Sequence, residues 1–581
     1  MTFEQASLLI LLGLMLALFC LGRFRIEVVS IAGLLAGYAL GLYPAEGVFS
    51  GLASPVVITV IEILLIVQVL ARAQLFGALA DRLLATDLPT SVIIGALAGL
   101  TAFISIFMNN IGAYAIALPV ALRIADVTAI PRRQLLIPIS FSALLGGLVS
   151  LIGTPANLLV SDALLRVTGH GFHFFDFAYV GLPVAIVGVI LITATVPRLF
   201  PKSGEEDAAP GQAIDRQMIT ERRIPHGSPL VGQRLVDCRR AFGLQPHALI
   251  RGSLFVPAVE GTAIEAGDIL LAEGPDVLFD RLLAKGVLML ESHPDPYGSD
   301  FIRSEAVVMP QSTLIGSRIQ SLEVFRSRGV AITGLSMRSP RIEGRFDDLT
   351  LSIGDILKLE GPRHAIAEAL EECECLPLAA SYDHTPPLRS FWPLFIFACG
   401  VLVAATGLLR PEIAFAGVIL AMALLNFINL RAAIADLNWP IIIMLAAMIP
   451  LGAAVATSGT AEMLAGGLGT IVPIERPVFG VALILFLAMV ITPFVNNATV
   501  AIVLTPVAFE LAAKAGHSAN AYLIAVAAGA SLDFITPFGH HNNTLTMSIG
   551  SYRFTDFLRA GWLLTIFSYG LALALIGWFW I

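Results

Sequence analysis

A chain of 581 residues that is 57% hydrophobic and only 13% charged carries more apolar surface than a water-soluble core can hide, because buried volume grows more slowly than chain length. Lipid is the remaining solvent, which the mean hydropathy of +0.84 supports, so a soluble enzyme is excluded as the main body. The formal net charge of −8 offers nucleic acid no basic surface, and none is expected as a partner.

In chain order, the first half reads as apolar spans at about 6–22, 27–43, 55–72, 135–165 and 178–196, all but the longer fourth near the roughly 20 residues that cross a bilayer. A further apolar pair, 93–121, is interrupted at its middle by Asn109-Asn110. The first span has no basic residues before it and is followed by Arg23 and Arg25, which marks a retained span and not a cleaved signal. The stretch from 198 to 389 holds more than half of all Lys, Arg, Asp and Glu and is read as a soluble insert. Spans resume at about 391–408, 412–428, 439–457, 520–548 and 560–580, with a second interrupted pair, 478–508, around Asn496-Asn497.

Basic residues after alternate spans (Arg23, Arg25, Arg82, Arg123, Arg132, Arg133, Arg198, Lys202, then Arg431, Arg553 and Arg559) fall on one side if the insert is cytoplasmic and both termini are periplasmic. Lys514 and Arg410 are exceptions. Five crossings per half give the halves opposite orientations, hence an inverted repeat. Matching intervals support it. Asn110 precedes Pro119 by nine residues, as Asn497 precedes Pro506. Gly153-Thr154-Pro155 pairs with Ile535-Thr536-Pro537, Asp176-Phe177 and Gly181 with Asp556-Phe557 and Gly561, and Pro55 with Ala80 as Pro440 with Ala465.

The insert is itself duplicated. Val231-Gly232 leads to Gly267-Asp268-Ile269-Leu270, and Ile315-Gly316 leads to Gly354-Asp355-Ile356-Leu357. Each copy predicts alternating strands closed by a short helix, at 276–284 and 364–372. The stretches 202–212 and 380–387 read as linkers. Of the cysteines Cys20, Cys238, Cys373, Cys375 and Cys399, the pair Cys373 and Cys375 has no second pair to complete a zinc site, and all are read as structural thiols.

Asn suits a turn at membrane depth because its amide satisfies loose backbone groups and offers donors and acceptors without a buried charge. Asn109, Asn110, Asn496 and Asn497 are therefore read as lining a transport site, with hairpin capping the plainer alternative. Gly153-Thr154-Pro155 and Thr536-Pro537-Phe538-Gly539 break their spans into half-helices, whose N-termini favour an anion and whose loose carbonyls favour a cation. Asn157, Asn542, Asn543 and Thr544 beyond the breaks, and Thr499 beyond the second pair, add ligands or local caps. Adjacent His540 and His541 point to different helix faces and lack a coordinating partner, so they read as caps or a polar gate and not as a metal site. Asp533 is the carboxylate best placed for coupling.

These residues resemble the divalent anion:sodium symporter (DASS) family of the ion-transporter superfamily, on Phe107 to Gly112, Leu151 to Leu158, Val495 to Thr499, Thr536 to His540 and Gly550 to Asp556. More closely, the chain looks like the branch with two TrkA-C (RCK C-terminal) domains between its halves. The resemblance implies a polytopic α-helical membrane protein of two inverted repeats, each five spans plus a re-entrant hairpin and a broken helix, bounded at 1–200, 218–287, 304–378 and 388–581. It implies a homodimer in the cell inner membrane, elevator-type alternating access, and an unknown small ligand or nucleotide on the TrkA-C pair. The family's Ser-Asn-Thr tips match at Asn110 and Asn497. Asn109 and Asn496 stand in place of Ser, and Ile111 and Ala498 in place of Thr. The implied small anionic substrate is sulfate or a dicarboxylate, held by Asn109, Asn110, Thr154, Pro155, Asn157, Asn496, Asn497, Thr499, Thr536 and Pro537. The implied coupling ion is sodium, at Asn110, Gly153, Asn497, Thr536 and Gly539. An arsenite- or proton-coupled exchanger of the same superfamily, or a ligand-gated channel, is the rival reading. With no nucleophile–base pair in the sequence, an enzyme is not expected.

Overall fold

A computed structural model describes residues 1–21, 25–71, 88–128, 130–200, 217–252, 254–257, 262–289, 301–310, 312–337, 344–378, 391–435, 437–470 and 476–581. Arg23, Ala80, Arg82, Lys202 and the two linkers lie outside the described residues. By contacts the chain divides into a helical unit, mainly Met1–Lys202 with Thr385–Met547 and Tyr552–Ile581, and an insert centred on Ser203–His384.

The first half of the helical unit runs α1 (Phe3–Leu21), α2 (Ile26–Ala39), α3 (Pro55–Ala71), α4 (Thr90–Ser105), α5 (Asn110–Val127), α6 (Arg132–Gly147), α7 (Pro155–Thr168) and α8 (Ala178–Leu199). The second runs α9 (Trp392–Ala405), α10 (Pro411–Leu424), α11 (Trp439–Thr457), α12 (Thr460–Gly469), α13 (Pro477–Ile491), α14 (Asn497–Ala515), α15 (Ala519–Gly529), α16 (His541–Ile549) and α17 (Phe554–Phe579). Five described helices are long and apolar enough to cross a membrane, and eight more are apolar but shorter. The interruptions expected at 109–110, 153–155, 496–497 and 536–539 all separate helices. The helices not expected in this unit are α12 and short ones at Ala45–Val48 and Leu430–Ala435.

Helices α9 and α10 expose Trp392, Phe395, Leu402, Ile413, Leu420 and Leu424, as helices facing lipid do, since lipid takes apolar side chains as readily as a core does. Two helices are instead buried around nearly their whole circumference: α6 from Gln134 to Gly147, and α15 from Ala521 to Gly529. The surroundings of the two are alike. The pair α4 and α5 packs on α6 with α8 beside it, and the pair α13 and α14 packs on α15 with α17 beside it.

The insert is one antiparallel sheet of eight strands in the order β3-β2-β4-β1-β6-β7-β5-β8. Strand β1 (Gln217–Arg223) pairs with β4 (Ile269–Pro275) as β5 (Phe301–Val308) pairs with β7 (Ile356–Pro362). Strands β2 (Gln245–Arg251) and β6 (Ala331–Ser336) lie on the other edges of β4 and β7, each with a bulge, at Pro246/Ala248 and at Ile332/Gly334. Strand β3 (Leu254–Pro257) extends β2, and β8 (Cys375–Pro377) extends β5. The closing helices are Asp276–Ala284 and Arg363–Glu372. Sequence alone separates the copies at 218–287 and 304–378, whereas Ile219 of β1 pairs with Leu335 of β6 and makes the sheet continuous. Such a pairing spans over a hundred residues and leaves no local signal. Two apolar clusters serve the sheet. One holds Leu249, Leu270, Ala272 and Phe279, the other Ile219, Leu271, Leu335, Leu357 and Leu359.

Candidate functional site

Each Asn-Asn pair begins a helix, and the first Asn is its cap. Asn109 Oδ1 accepts from the Gly112 N–H at 2.7 Å, and Asn496 Oδ1 from the Thr499 N–H at 2.9 Å. That satisfies one of the N–H groups that no helical turn can reach. The second Asn in each pair, Asn110 or Asn497, is the first helical residue. Asn110 is buried beside Ser105, whose Oγ lies 3.1 Å from Asn110 Oδ1 and 2.6 Å from the Ala143 carbonyl. The amide can sit there only because residue 147 is glycine: a Cβ on Gly147 would stand 2.2 Å from Asn110 Oδ1 and 3.1 Å from the Gly153 carbonyl. Thr492, five residues before Asn497 as Ser105 is before Asn110, is also buried and bonds to Ala488.

The two breaks are stapled alike. Asn157 Nδ2 donates to the carbonyls of Gly147 at 3.3 Å and Ser150 at 2.8 Å. Asn543 Nδ2 donates to those of Asp533 at 3.3 Å and Thr536 at 3.1 Å. Both staples reach back ten and seven residues, so Thr536 stands where Ser150 does, and His540 where Thr154 does. The sequence pairing of Thr154-Pro155 with Thr536-Pro537 is therefore four residues out of register. Thr154 caps α7 directly, accepting from the Ala156 N–H, with Pro155 at the first helical position. Thr536-Pro537 lies earlier in its loop, and the His540 carbonyl accepts from Asn543 and Thr544 at the start of α16. Gly181 and Gly561 have like surroundings: a Cβ on either would collide with a break carbonyl, Leu148 at 2.3 Å or Phe534 at 2.0 Å.

Asp533, 3% exposed, is consumed by its own loop. Thr536 donates to it from Oγ1 at 2.8 Å and from its N–H at 3.3 Å, and Gly539 passes so close that a Cβ would lie 2.1 Å from Asp533 Oδ2.

These elements enclose a cavity of about 190 Å³ in the helical unit. Of the expected site residues it is lined by Asn109, Asn110, Pro155, Asn496, Asn497 and Gly539. Gly153, Thr154, Asn157, Thr499, Thr536 and Pro537 do not line it. They hold the breaks and helix starts from behind, apart from Thr499, whose buried hydroxyl has no partner among the described residues. His540, His541 and Asn542 line it with Ile111, Ala498, Met444 and Phe494, and no described Lys, Arg, Asp or Glu does. The histidines were readable from sequence only as caps or a gate. What would have placed them is the spacing of Asn543, which sets the true start of α16.

Three helix starts, those of α5, α14 and α16, thus meet one cavity with contributions from both halves of the chain. Each N-terminus carries about half a positive elementary charge. The fourth start, α7, offers less, because Pro155 has no N–H and Ala156 is bonded to Thr154.

The profile of a family described as citrate transporter matches residues 16–529 and 481–581. The chain belongs to the citrate transporter family. It is similar to the uncharacterized transporter YfbS of Escherichia coli, at 29% identity over 96% of each chain. It is similar to the uncharacterized transporter sll0640 of Synechocystis, at 28% identity over 95% of this chain and 93% of that protein. Sodium/sulfate cotransporter 1 of Chlamydomonas reinhardtii is 25% identical over 44% of this chain and 32% of its own length. As a member of this family the protein is a multi-pass membrane transporter and not an enzyme.

Proposed function

We propose that the protein is a secondary active transporter that couples the movement of a small divalent anion, sulfate or a dicarboxylate, to a cation gradient. The observation that carries this is the cavity where three helix starts meet without a cationic side chain. Preorganised N–H groups hold an anion without the cost of a buried Lys or Arg. Two negative charges still exceed what helix ends and amides neutralise, so a cation bound nearby completes the balance. Sodium is the proposed ion, which the printed name of the Chlamydomonas relative supports. Its proposed ligands are Asn110, Gly153, Asn497, Thr536 and Gly539, with Ser105 added by its place beside Asn110. The cavity volume is below the roughly 300–1,000 Å³ of pockets for drug-sized ligands, which supports a compact substrate.

The like surroundings of α6 and α15, and the equal reach of the two staples, support an inverted repeat. On that reading a domain carrying both hairpins moves past a fixed scaffold in a homodimer. The duplicated sheet supports a TrkA-C pair in the cytoplasm of an inner-membrane protein with periplasmic termini, regulated by a small ligand or nucleotide. The family's description favours citrate as a second substrate reading. Uptake of labelled sulfate, succinate and citrate into proteoliposomes, under a sodium or a proton gradient, tests both. Saturable uptake of sulfate or succinate driven by sodium is expected. Flux that follows voltage alone, with no gradient coupling, would overturn the proposal in favour of a channel.

A further inference from the structure

Helix α3 carries one carboxylate, Glu62, inside the otherwise apolar run from Val60 to Val67. A carboxylate within a membrane-spanning helix is costly and rare, and one that persists marks a function by default. Glu62 is 7% exposed, and its Oε2 has no partner among the described residues. It does not line the cavity, but Val60, Ile63 and Leu64 do. At about 100° per residue those three form one stripe of α3, and Glu62 lies on the side opposite.

The groups around Glu62 offer its charge no relief. Helix α3 packs chiefly against α7, α9, α10, α11, the turn Ser50–Ala53 and the short helix Leu430–Ala435. Helix α10 brings Glu412, a like charge that acts on Glu62, and the neighbouring Arg410 is held by Glu412 at 2.8 Å. Helix α7 brings Asp162 and Arg166, which pair with each other at 2.8 Å. Helix α9 brings Cys399, which is exposed, and the short helix brings Arg431. Neither α11 nor the turn carries a titratable side chain. Of all these groups only Glu412 acts on Glu62, so no described cation balances it.

We propose that Glu62 is a proton-binding site that controls transport: with its proton it seats α3 on α10, and without it α3 shifts and the cavity wall moves. A carboxylate with no counter-charge in apolar surroundings is far costlier than the neutral acid, so the folded protein keeps the proton. Raising the pH releases it to water, and the new charge is driven away from Glu412. The shift reaches the cavity because one helix carries both Glu62 and the wall residues Val60, Ile63 and Leu64. The ligand is a proton alone, so the inference holds whichever anion the cavity takes.

Two measurements on the full chain test it. The first is thermal unfolding in detergent from about pH 5.5 to 8, below the ordinary thiol range. Over that interval the unfolded chain gives up the Glu62 proton and the folded chain resists, so stability falls as pH rises. The wild-type midpoint is expected to drop by a few degrees more than that of Glu62→Gln, which has the shape of the neutral acid and cannot ionise. The second is uptake of labelled sulfate, which keeps its charge over this range, into proteoliposomes buffered alike inside and out. Wild-type uptake should fall several-fold as pH rises. Glu62→Gln should hold the low-pH rate throughout, and Glu62→Asp, which keeps an acid, should keep the fall. Parallel midpoint profiles in wild type and Glu62→Gln overturn the proton site. A level midpoint in Glu62→Gln together with a wild-type uptake profile overturns the control of transport. If sulfate enters at no pH, the sulfate reading fails, while the midpoints still decide the proton site.

Discussion

At the scale of single residues, the cavity depends on places where a methyl group has no room. Gly147→Ala would drive a carbon into Asn110 Oδ1 and displace an amide that both proposed ligands use. Uptake is expected to fall at least tenfold, by analogy with other sub-ångström misplacements in a preorganised site. Gly417→Ala in α10 meets nothing within 4 Å and should transport normally, with a small gain in stability from helix propensity. Equal activity of the two variants would show that the Asn110 amide is not part of the site. Thr536→Val removes the hydroxyl that donates to buried Asp533 and accepts from the Phe538 N–H. A carboxylate short of a donor costs about 1.5–3 kcal/mol, which thermal unfolding in detergent should register as a lowered midpoint.

At the scale of elements, the helix starts have two separable duties, which a charge can distinguish. Asp caps a helix as well as Asn does, whereas Ala costs about 0.5–2 kcal/mol. Asn109→Asp and Asn496→Asp should therefore keep wild-type thermal stability yet lose most anion uptake, because the new carboxylate shares the cavity with the substrate. The Ala variants should lose stability first. If the Asp variants carry sulfate with an unchanged KM, the caps are structural only.

Much at this scale was legible beforehand, for reasons of chemistry. An Asn-Asn pair in the middle of an apolar run interrupts a helix at depth, and the plainer reading, a cap, describes Asn109 and Asn496, while Thr154-Pro155 is an N-cap followed by the residue best tolerated at the first helical position. The start of α16 was not legible, because Thr536-Pro537 mimics Thr154-Pro155 while the true cap is the carbonyl of His540. Only the three-dimensional staple from Asn543 settles the register. In the insert, the closing helix at Asp276–Ala284 was readable residue by residue, but the joining of β1 to β6 was not, since edge pairing between copies leaves no periodic trace.

At the scale of the whole molecule, the insert has its own apolar clusters and should unfold in urea separately from helices sheltered by lipid or detergent. The two sheet halves are tied by Lys358 of β7, which holds Asp276 at 2.7 and 2.8 Å. Lys358 is the more buried partner, so Asp276→Ala, which strands its charge, should lower the insert's urea midpoint more than Lys358→Met, which removes the need for pairing.

Three thiols report on that transition and also influence it. Cys238, Cys373 and Cys375 are buried, and burial pushes their thiols up to about 11, 11 and 12 from an ordinary value of 9.0. The folded insert thus holds these protons more tightly than the unfolded chain does. Its stability from them is complete below pH 9 and is lost as pH rises through about 11 to 12, where folding must keep neutral what unfolding would let ionise. Alkylation of the three cysteines should be negligible at neutral pH, appear together at the insert's urea midpoint, and shift to lower urea as pH is raised above 9. Rapid labelling of any of them in the native protein at neutral pH would mean that the sheet opens locally, and the three thiols would then cease to mark a single cooperative unit.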